Sequence, residues 1–428
     1  MKLRMMNRVF PVVWAMVLSA PAQTVVSSLA ELQPYLDDND VHVVMTPGTY
    51  RITEADCGSS GSGLFPVPPI FTFSGTNTVF DFTDVVFEFE TGIFQRFGNV
   101  DVKEVAVFGQ NQVLKNLTMK DIGITRPTRT ALGVLLDGVD NRVEGFNLTV
   151  RGSQPYGYGD IFGKGSGYVI KHFKHSAILV RGEGNHLLNC KVFHRAYGHG
   201  IFCQGSQNAV IEGCYVEGEV RTSDDVLAEA GSGSAADGVS FVTNWGEDEN
   251  GENGYVLQPG WMFSLQEDGI RAYNTGPGLE GTNTVNTTDM QVIDCTVFNM
   301  RSGVTIGFCN DTKYVENCVT LGTENGYWVG TYGEIADCAG DAAYGPLLVN
   351  AYQNDRDSVV DLTVLAHQER YGNEILAYVG GTRHNMTFRG RDASVDPNLN
   401  IMLSGIRTGI RQYVVNTTYN DFSTTDAV

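Results

Sequence analysis

The apolar positions of this chain fall in short runs that return at a steady interval. One run reads L-L-N-C-K-V around Cys190, I-E-G-C-Y-V around Cys214, V-I-D-C-T-V around Cys295 and V-E-N-C-V-T around Cys318. The steps from Cys190 to Cys214 and from Cys295 to Cys318 are 24 and 23 residues. Cysteine-free versions occur as V-L-K-N-L-T near Asn116, V-E-G-F-N-L-T near Asn147 and V-V-D-L-T-V near Asp361. A second run comes before these: G-V-L-L-D-G from Gly133, A-I-L-V-R-G from Ala177, G-I-F-C-Q-G from Gly200, G-V-S-F-V from Gly238, G-I-R-A-Y from Gly269 and G-V-T-I-G from Gly303. Asn141, Asn185 and Asn208 follow three of them.

Each unit therefore holds two or three short strands of β-branched and aliphatic residues, separated by Gly, Asn and Asp turns. One unit cannot bury its own apolar side, but stacked units bury a continuous core. A period of 22 to 24 residues, with Asn at the turns and no leucine-rich consensus, predicts an all-β solenoid, a right-handed parallel β-helix. Stacking places Cys190, Cys214, Cys295 and Cys318 in one interior column of small apolar side chains, and Cys203 on a core-facing strand position. Cys57, Cys309 and Cys338 fall outside this column, which leaves a disulfide among them open.

A solenoid needs a cap over its first coil. Ser27 to Leu36 predicts one, an amphipathic helix with Leu29, Leu32 and Leu36 at helical spacing. The segment V-H-V-V-M-T-P-G-T-Y-R-I from Val41 to Ile52 follows it as two strands. This start resembles that of pectate-lyase-type β-helices. Departures from the period at 152–167, 222–236 and 244–267 read as long loops gathered on one face. Ahead of the cap, Lys2, Arg4 and Arg8, the apolar stretch Val9 to Leu18 and Ala20-Pro21-Ala22 read as a signal peptide over 1–22. The β-helix domain is then 23–428, expected as a secreted or periplasmic monomer with no membrane span.

Lys and Arg number 29 against 49 Asp and Glu, a net charge of -20, which argues against a nucleic-acid partner. Against this background the stretch from 171 to 199 stands out. It holds His172, His175, His186, His194 and His199 with Lys171, Lys174, Arg181, Lys191 and Arg195; Lys164 and Arg221 flank it. A positive island on an acidic scaffold suits an anionic polysaccharide. The segment H-R-A-Y-G-H-G-I puts His194, Arg195, Tyr197 and His199 on one turn entering a strand, and a 23-residue offset stacks Lys174 near Tyr197 and Ser176 near His199. Asp237 and Asp268 precede the Gly-aliphatic strand as His199 does, which would make the three successive rungs if no coil intervenes. Y-V-E-G-E-V-R brings Glu217, Glu219 and Arg221 to one side of an extended segment. With Asp224 and Asp225 these are candidate Ca²⁺ ligands, although no spacing makes a zinc site.

The G-H-G-I segment resembles a motif of polygalacturonase-type β-helix hydrolases, which also carry D-G-I with a catalytic Asp. Here the His precedes the Asp-Gly segments, and that family's N-T-D segment is absent. The whole pattern resembles secreted β-helix proteins of the pectate-lyase and polygalacturonase-like superfamily, which implies action on polysaccharides. The expected activity is a lyase that cleaves a uronate-containing chain by β-elimination. Arg195, Arg221, Lys174 or a bound Ca²⁺ would neutralise the carboxylate; His199, His175 or Lys174 would be the base, and Tyr197 the acid, with His194 beside them. Arg181, Lys164 and Arg271 are candidate substrate contacts, and Tyr156, Tyr158, Trp245 and Trp261 candidate stacking surfaces for sugar rings. A glycoside hydrolase using Asp237 and Asp268, a uronate C5-epimerase and a non-catalytic carbohydrate-binding β-helix are the alternatives.

Overall fold

The computed structural model describes residues 23–58, 63–152, 173–229, 231, 259–278, 283–352, 354–366, 373, 375–381, 383–390, 400–404, 413–416 and 422–424. They form a parallel β-helix. The strands Val102–Val107, Ala131–Leu136, His175–Glu183, Ile201–Gln207, Asp268–Tyr273, Ser302–Thr305, Asn325–Trp328 and Leu348–Asn350 stack in parallel as one wall. Arg142–Glu144, His186–Leu188, Val210–Glu212 and Thr288–Ile293 stack as the second. Asn147–Val150, Lys191–His194, Tyr215–Glu217 and Thr296–Phe298 form the third. The register Ile178↔Ile201 is the 23-residue offset read from the sequence.

The corner between the second and third walls is turned by one residue with positive φ: Asn116 at 65°, Gly145 at 66°, Asn189 at 55°, Gly213 at 64°, Asp294 at 54°, Asn317 at 51° and Asp337 at 52°. Only Gly, Asn and Asp visit that region routinely. This is why one of the three precedes each cysteine of the repeated motif. The next side chain then points inward, and the cysteines stack. Backbone N–H of Cys295 faces Sγ of Cys318 at 3.4 Å, and that of Cys318 faces Sγ of Cys338 at 3.2 Å. Cys338 therefore belongs to the column, contrary to the sequence expectation; its step of 20 residues hid it. All eight cysteines are buried free thiols, so no disulfide joins Cys57, Cys309 and Cys338.

Asn141 and Asn185 form a buried ladder. The backbone N–H of Gln112 donates to the Asn141 side chain, and that of Asn141 donates to the Asn185 side chain, each at 2.9 Å. Asn208 does not continue it, being a positive-φ corner at 55°. The glycine before each inward aliphatic of the first wall is there for room. A Cβ on Gly200 would lie 2.4 Å from Val216, and one on Gly269 2.3 Å from Val297. The predicted cap is shorter than expected: an α-turn Leu29–Leu32, capped by Ser28, passes into a 3₁₀ turn Gln33–Tyr35. Leu32 and Leu36 are buried. The two strands His42–Met45 and Gly48–Ile52 follow as expected.

The largest insertion has a defined stem. Val220–Thr222 pairs antiparallel with Met262–Ser264, and the chain rejoins the helix at Asp268–Tyr273. Ile201 pairs directly with Ile270, so the rungs of His199 and Asp268 adjoin and no rung of Asp237 lies between them. Asp237 itself lies outside the described residues. Among the described residues, no helix is long and apolar enough to cross a membrane.

Candidate functional site

Where the Ile201–Gln207 and Asp268–Tyr273 strands begin, five of the expected residues meet: Lys174, Tyr197, His199, Asp268 and Arg271. Their meeting point is Glu267, a residue the sequence reading passed over. Its carboxylate accepts from Lys174 Nζ at 2.6 Å and from the Tyr197 hydroxyl at 3.0 Å, and lies 2.8 Å from His199 Nε2. Burial alone would raise the Glu267 carboxyl, but the charges of His199 and Lys174 and their hydrogen bonds outweigh it and hold it well below the usual range. Asp268 is held low in the same way: burial opposes ionisation, while Arg271 and then His199 favour it. Arg271 donates to the Asp268 carboxylate and stands 4.6 Å from the centre of the Tyr273 ring.

His199 is the hub. Its Nδ1 lies 3.4 Å from both the backbone N–H and the side-chain carboxylate of Asp268, and its Nε2 lies 2.8 Å from the Tyr273 hydroxyl. The ring packs against Phe202 and Tyr273, with centroids 5.2 and 5.7 Å away. Burial, together with Glu267 and Asp268 but against Arg271, pushes the Tyr273 phenol up to about 12, so it is a proton donor at neutral pH. Lys174 is the accessible edge of the cluster, its side chain 37% exposed against 5% for Glu267.

The other expected residues are placed elsewhere. His175 and His194 are buried and do not touch Glu267, although His194 makes a hydrogen bond to the His199 backbone. His175 Nδ1 donates to the Arg151 carbonyl at 2.5 Å and lies 3.4 Å from Asp121, while its Nε2 faces Glu104 at 3.9 Å. Burial, with His175 and His199 adding to it, pushes His194 down to about 3 and keeps it neutral. Arg195 is engaged by Glu217, by Glu219 at 3.5 Å and by the backbone carbonyls of His194, Glu217 and Gly218. Arg221 pairs with Glu229 at 2.7 Å in the stem, where the Trp261 N–H donates to the Ser223 hydroxyl and the Ser223 N–H to the Trp261 carbonyl. Arg181 stays on the face of the cluster, reaching Gln204 at 3.4 Å; Gln204 is the rung neighbour of Tyr273. Lys164, Tyr156, Tyr158 and Trp245 lie outside the described residues.

The expected calcium ligands are not gathered. Glu217 and Glu219 face Arg195, and Asp224 accepts from the Gly260 N–H at 3.2 Å. Asp225 lies on the exposed side of the short helix Ser223–Leu227. Among the described residues, the group of His, Cys, Asp and Glu close enough to share an ion is Glu104, Asp121 and His175. Two of its buried atoms, Glu104 Oε1 and His175 Nε2, have no hydrogen-bond partner. With Nδ1 donating to a carbonyl, the Nε2 lone pair is turned inward, as a metal-ligating imidazole requires. Three protein ligands, one of them imidazole, could hold a divalent cation. The set suits a transition ion better than Ca²⁺, which takes six to eight oxygens.

A protein-family profile described as a right-handed beta helix region matches residues 132–338. No curated protein matches the chain. Among solved structures, a mannuronic acid specific polysaccharide family 6 lyase from human gut microbiota is 11% identical, with 84% of this chain and 67% of that chain covered at a TM-score of 0.47. A rhamnogalacturonan lyase is 13% identical over 76% of this chain and 74% of its own, with a TM-score of 0.43. PfbA, a surface adhesin of Streptococcus pneumoniae, is 10% identical over 90% and 92%, with a TM-score of 0.24.

Proposed function

We propose that the protein is a polysaccharide lyase that cleaves a uronate-containing chain by β-elimination at the Lys174–His199–Glu267 cluster. The observation that carries this reading is the arrangement around His199: an imidazole braced by two ionised carboxylates, touching a tyrosine hydroxyl, with Lys174 and Arg271 on either side. Lys174 and Arg271 attract the uronate carboxylate and make the neighbouring C5 proton more acidic. His199 in its uncharged form, directly or through Tyr273, accepts that proton, and the imidazolium so formed faces the carboxylates of Glu267 and Asp268. The C5–H pair becomes the C4–C5 double bond, and the C4–O bond breaks. The departing oxygen takes a proton from Tyr273 or, on the Glu267 side, from Tyr197. Glu267 and Asp268 orient the cations and the imidazole rather than react.

The glycoside hydrolase reading is less well supported. It needs one carboxyl that keeps its proton to protonate the leaving group, whereas Glu267 and Asp268 are both held ionised. A C5-epimerase would share the proton abstraction and return the proton. The test is incubation of the purified protein with a panel of acidic polysaccharides, followed by ultraviolet absorbance of the unsaturated uronate. A rise that the His199→Ala variant loses is expected. New reducing ends without unsaturation would overturn the lyase in favour of hydrolysis, and altered uronate stereochemistry without cleavage would overturn it in favour of epimerisation.

A further inference from the structure

Farther along the same wall, three successive coils each place an aromatic ring at one spot. Phe308 and Trp328 meet edge to face with centroids 4.5 Å apart, and Trp328 and Tyr352 are tilted at 5.2 Å. Phe308 and Tyr352 are 37% and 40% exposed, so part of each ring faces solvent beside the indole. Gly307 makes the seat for the indole: a Cβ there would lie 2.3 Å from the Trp328 ring. The indole thus lies flat on the backbone of the preceding coil and is held in one orientation.

The register ties this patch to the cluster. Arg271 pairs with Thr305, and Thr305 with Trp328, so the indole is two rungs from Arg271, roughly 10 Å along the axis. We propose that Phe308, Trp328 and Tyr352 are a stacking platform for a pyranose ring of the same polysaccharide, a distal subsite in line with the Lys174–His199–Glu267 cluster. This rests on the lyase reading for the identity of the glycan. The chemistry is that of a sugar's C–H face on an aromatic face, which needs no charge. The cations that would hold a uronate carboxylate lie at the cluster, so the platform adds grip on length rather than on charge. A substrate too short to span both places gains nothing from it.

The test is kcat/KM on oligomannuronates and oligogalacturonates of increasing length, for wild type, Trp328→Ala, Tyr352→Ala and, as a control, Phe298→Ala, an equally exposed ring on the third wall. In wild type kcat/KM should climb once the chain reaches the platform. Trp328→Ala should lower kcat/KM on the longer chains by about tenfold through KM, flattening the climb, with a smaller loss for Tyr352→Ala. Trp328→Phe keeps a ring in the seat and should retain most of the climb, which separates stacking from misfolding. Equal losses at every length, or none, would overturn the platform and leave the lyase reading standing. If no oligomer is cleaved, calorimetric binding of the same series decides. Binding that weakens in Trp328→Ala keeps the platform while the lyase reading falls, and binding that is unchanged or absent overturns both.

Discussion

Two clusters of histidine and carboxylate lie on neighbouring coils and are made of the same residue types. Around His199, the carboxylate of Glu267 receives Lys174, Tyr197 and the imidazole itself, and stays ionised although it is buried. Around His175, Glu104 has no cation of its own. Burial and then the neighbouring Asp121 push its carboxyl well above the usual range, so it keeps its proton, and one of its oxygens has no partner. His199 is reached by the hydroxyl of a half-buried tyrosine; His175 is closed in by the edge of Phe94 at 4.7 Å. Burial alone therefore does not set the charge of a carboxylate. The number of donors within reach does, and a charge that is both fixed and reachable is what chemistry needs.

The comparison breaks if the two histidines prove interchangeable. His199→Ala is expected to cut the rate of uronate elimination by roughly 100- to 10,000-fold, while Lys174, Tyr197 and Arg271 still partner Glu267 and Asp268. His175→Ala should leave the rate of the folded enzyme near wild type; initial rates on both variants check this. In the interior, Asp121→Ala strands the Arg151 N–H that it now receives at 2.7 Å, along with Glu104 and His175. It is expected to cost about 3 kcal/mol or more in denaturant unfolding.

At the outer cluster, Lys174→Ala should lower kcat/KM by roughly 10- to 100-fold, as the loss of one charged hydrogen-bond partner does. A loss confined to kcat would place Lys174 in proton transfer rather than in carboxylate binding. Acid should act through the same cluster. Glu267 and Asp268 are depressed in the fold, so their contribution to stability is present above the ordinary carboxylate range and is lost as pH falls through their lowered values, below about pH 4. Thermal melts from neutral to acid pH should show this limb, and Glu267→Gln should flatten it. The smallest effect is expected from Glu104→Gln, under about 1 kcal/mol, since an amide replaces a group that is already uncharged. If a divalent transition ion raises the melting temperature of wild type and not of this variant, the interior cluster is a metal site instead.

Much of the fold could be read from the chain because each coil repeats the same local problem. A corner that demands positive φ selects Asn, Gly or Asp, and Asn189, Gly213, Asp294 and Asn317 announce it beside a cysteine. Where the period changes, the reading fails. Cys338 comes after 20 residues and so stands outside the expected column, and Asn208, though it follows its run as Asn141 and Asn185 do, turns a corner where they form a ladder. The site was half visible. Lys174 over Tyr197 and Ser176 beside His199 followed from the offset. Glu267 did not, because it closes the stretch 244–267 that the broken period marks as a loop. Its rung neighbour is Gly198, a position with no side chain to suggest a partner. Nor could spacing show that His175 would turn inward while Lys174, one residue away, stays out.

The antiparallel stem of Val220–Thr222 and Met262–Ser264 bears on how such a molecule can change over generations. Because the helix resumes at Ile270 directly on Ile201, everything beyond the stem is a cassette plugged into an unbroken rod. The closing entropy of such a cassette grows only with the logarithm of its length. Lineages could therefore trade, lengthen or shed it while the rod, and with it the alignment of His199, Asp268 and Trp328, is inherited intact.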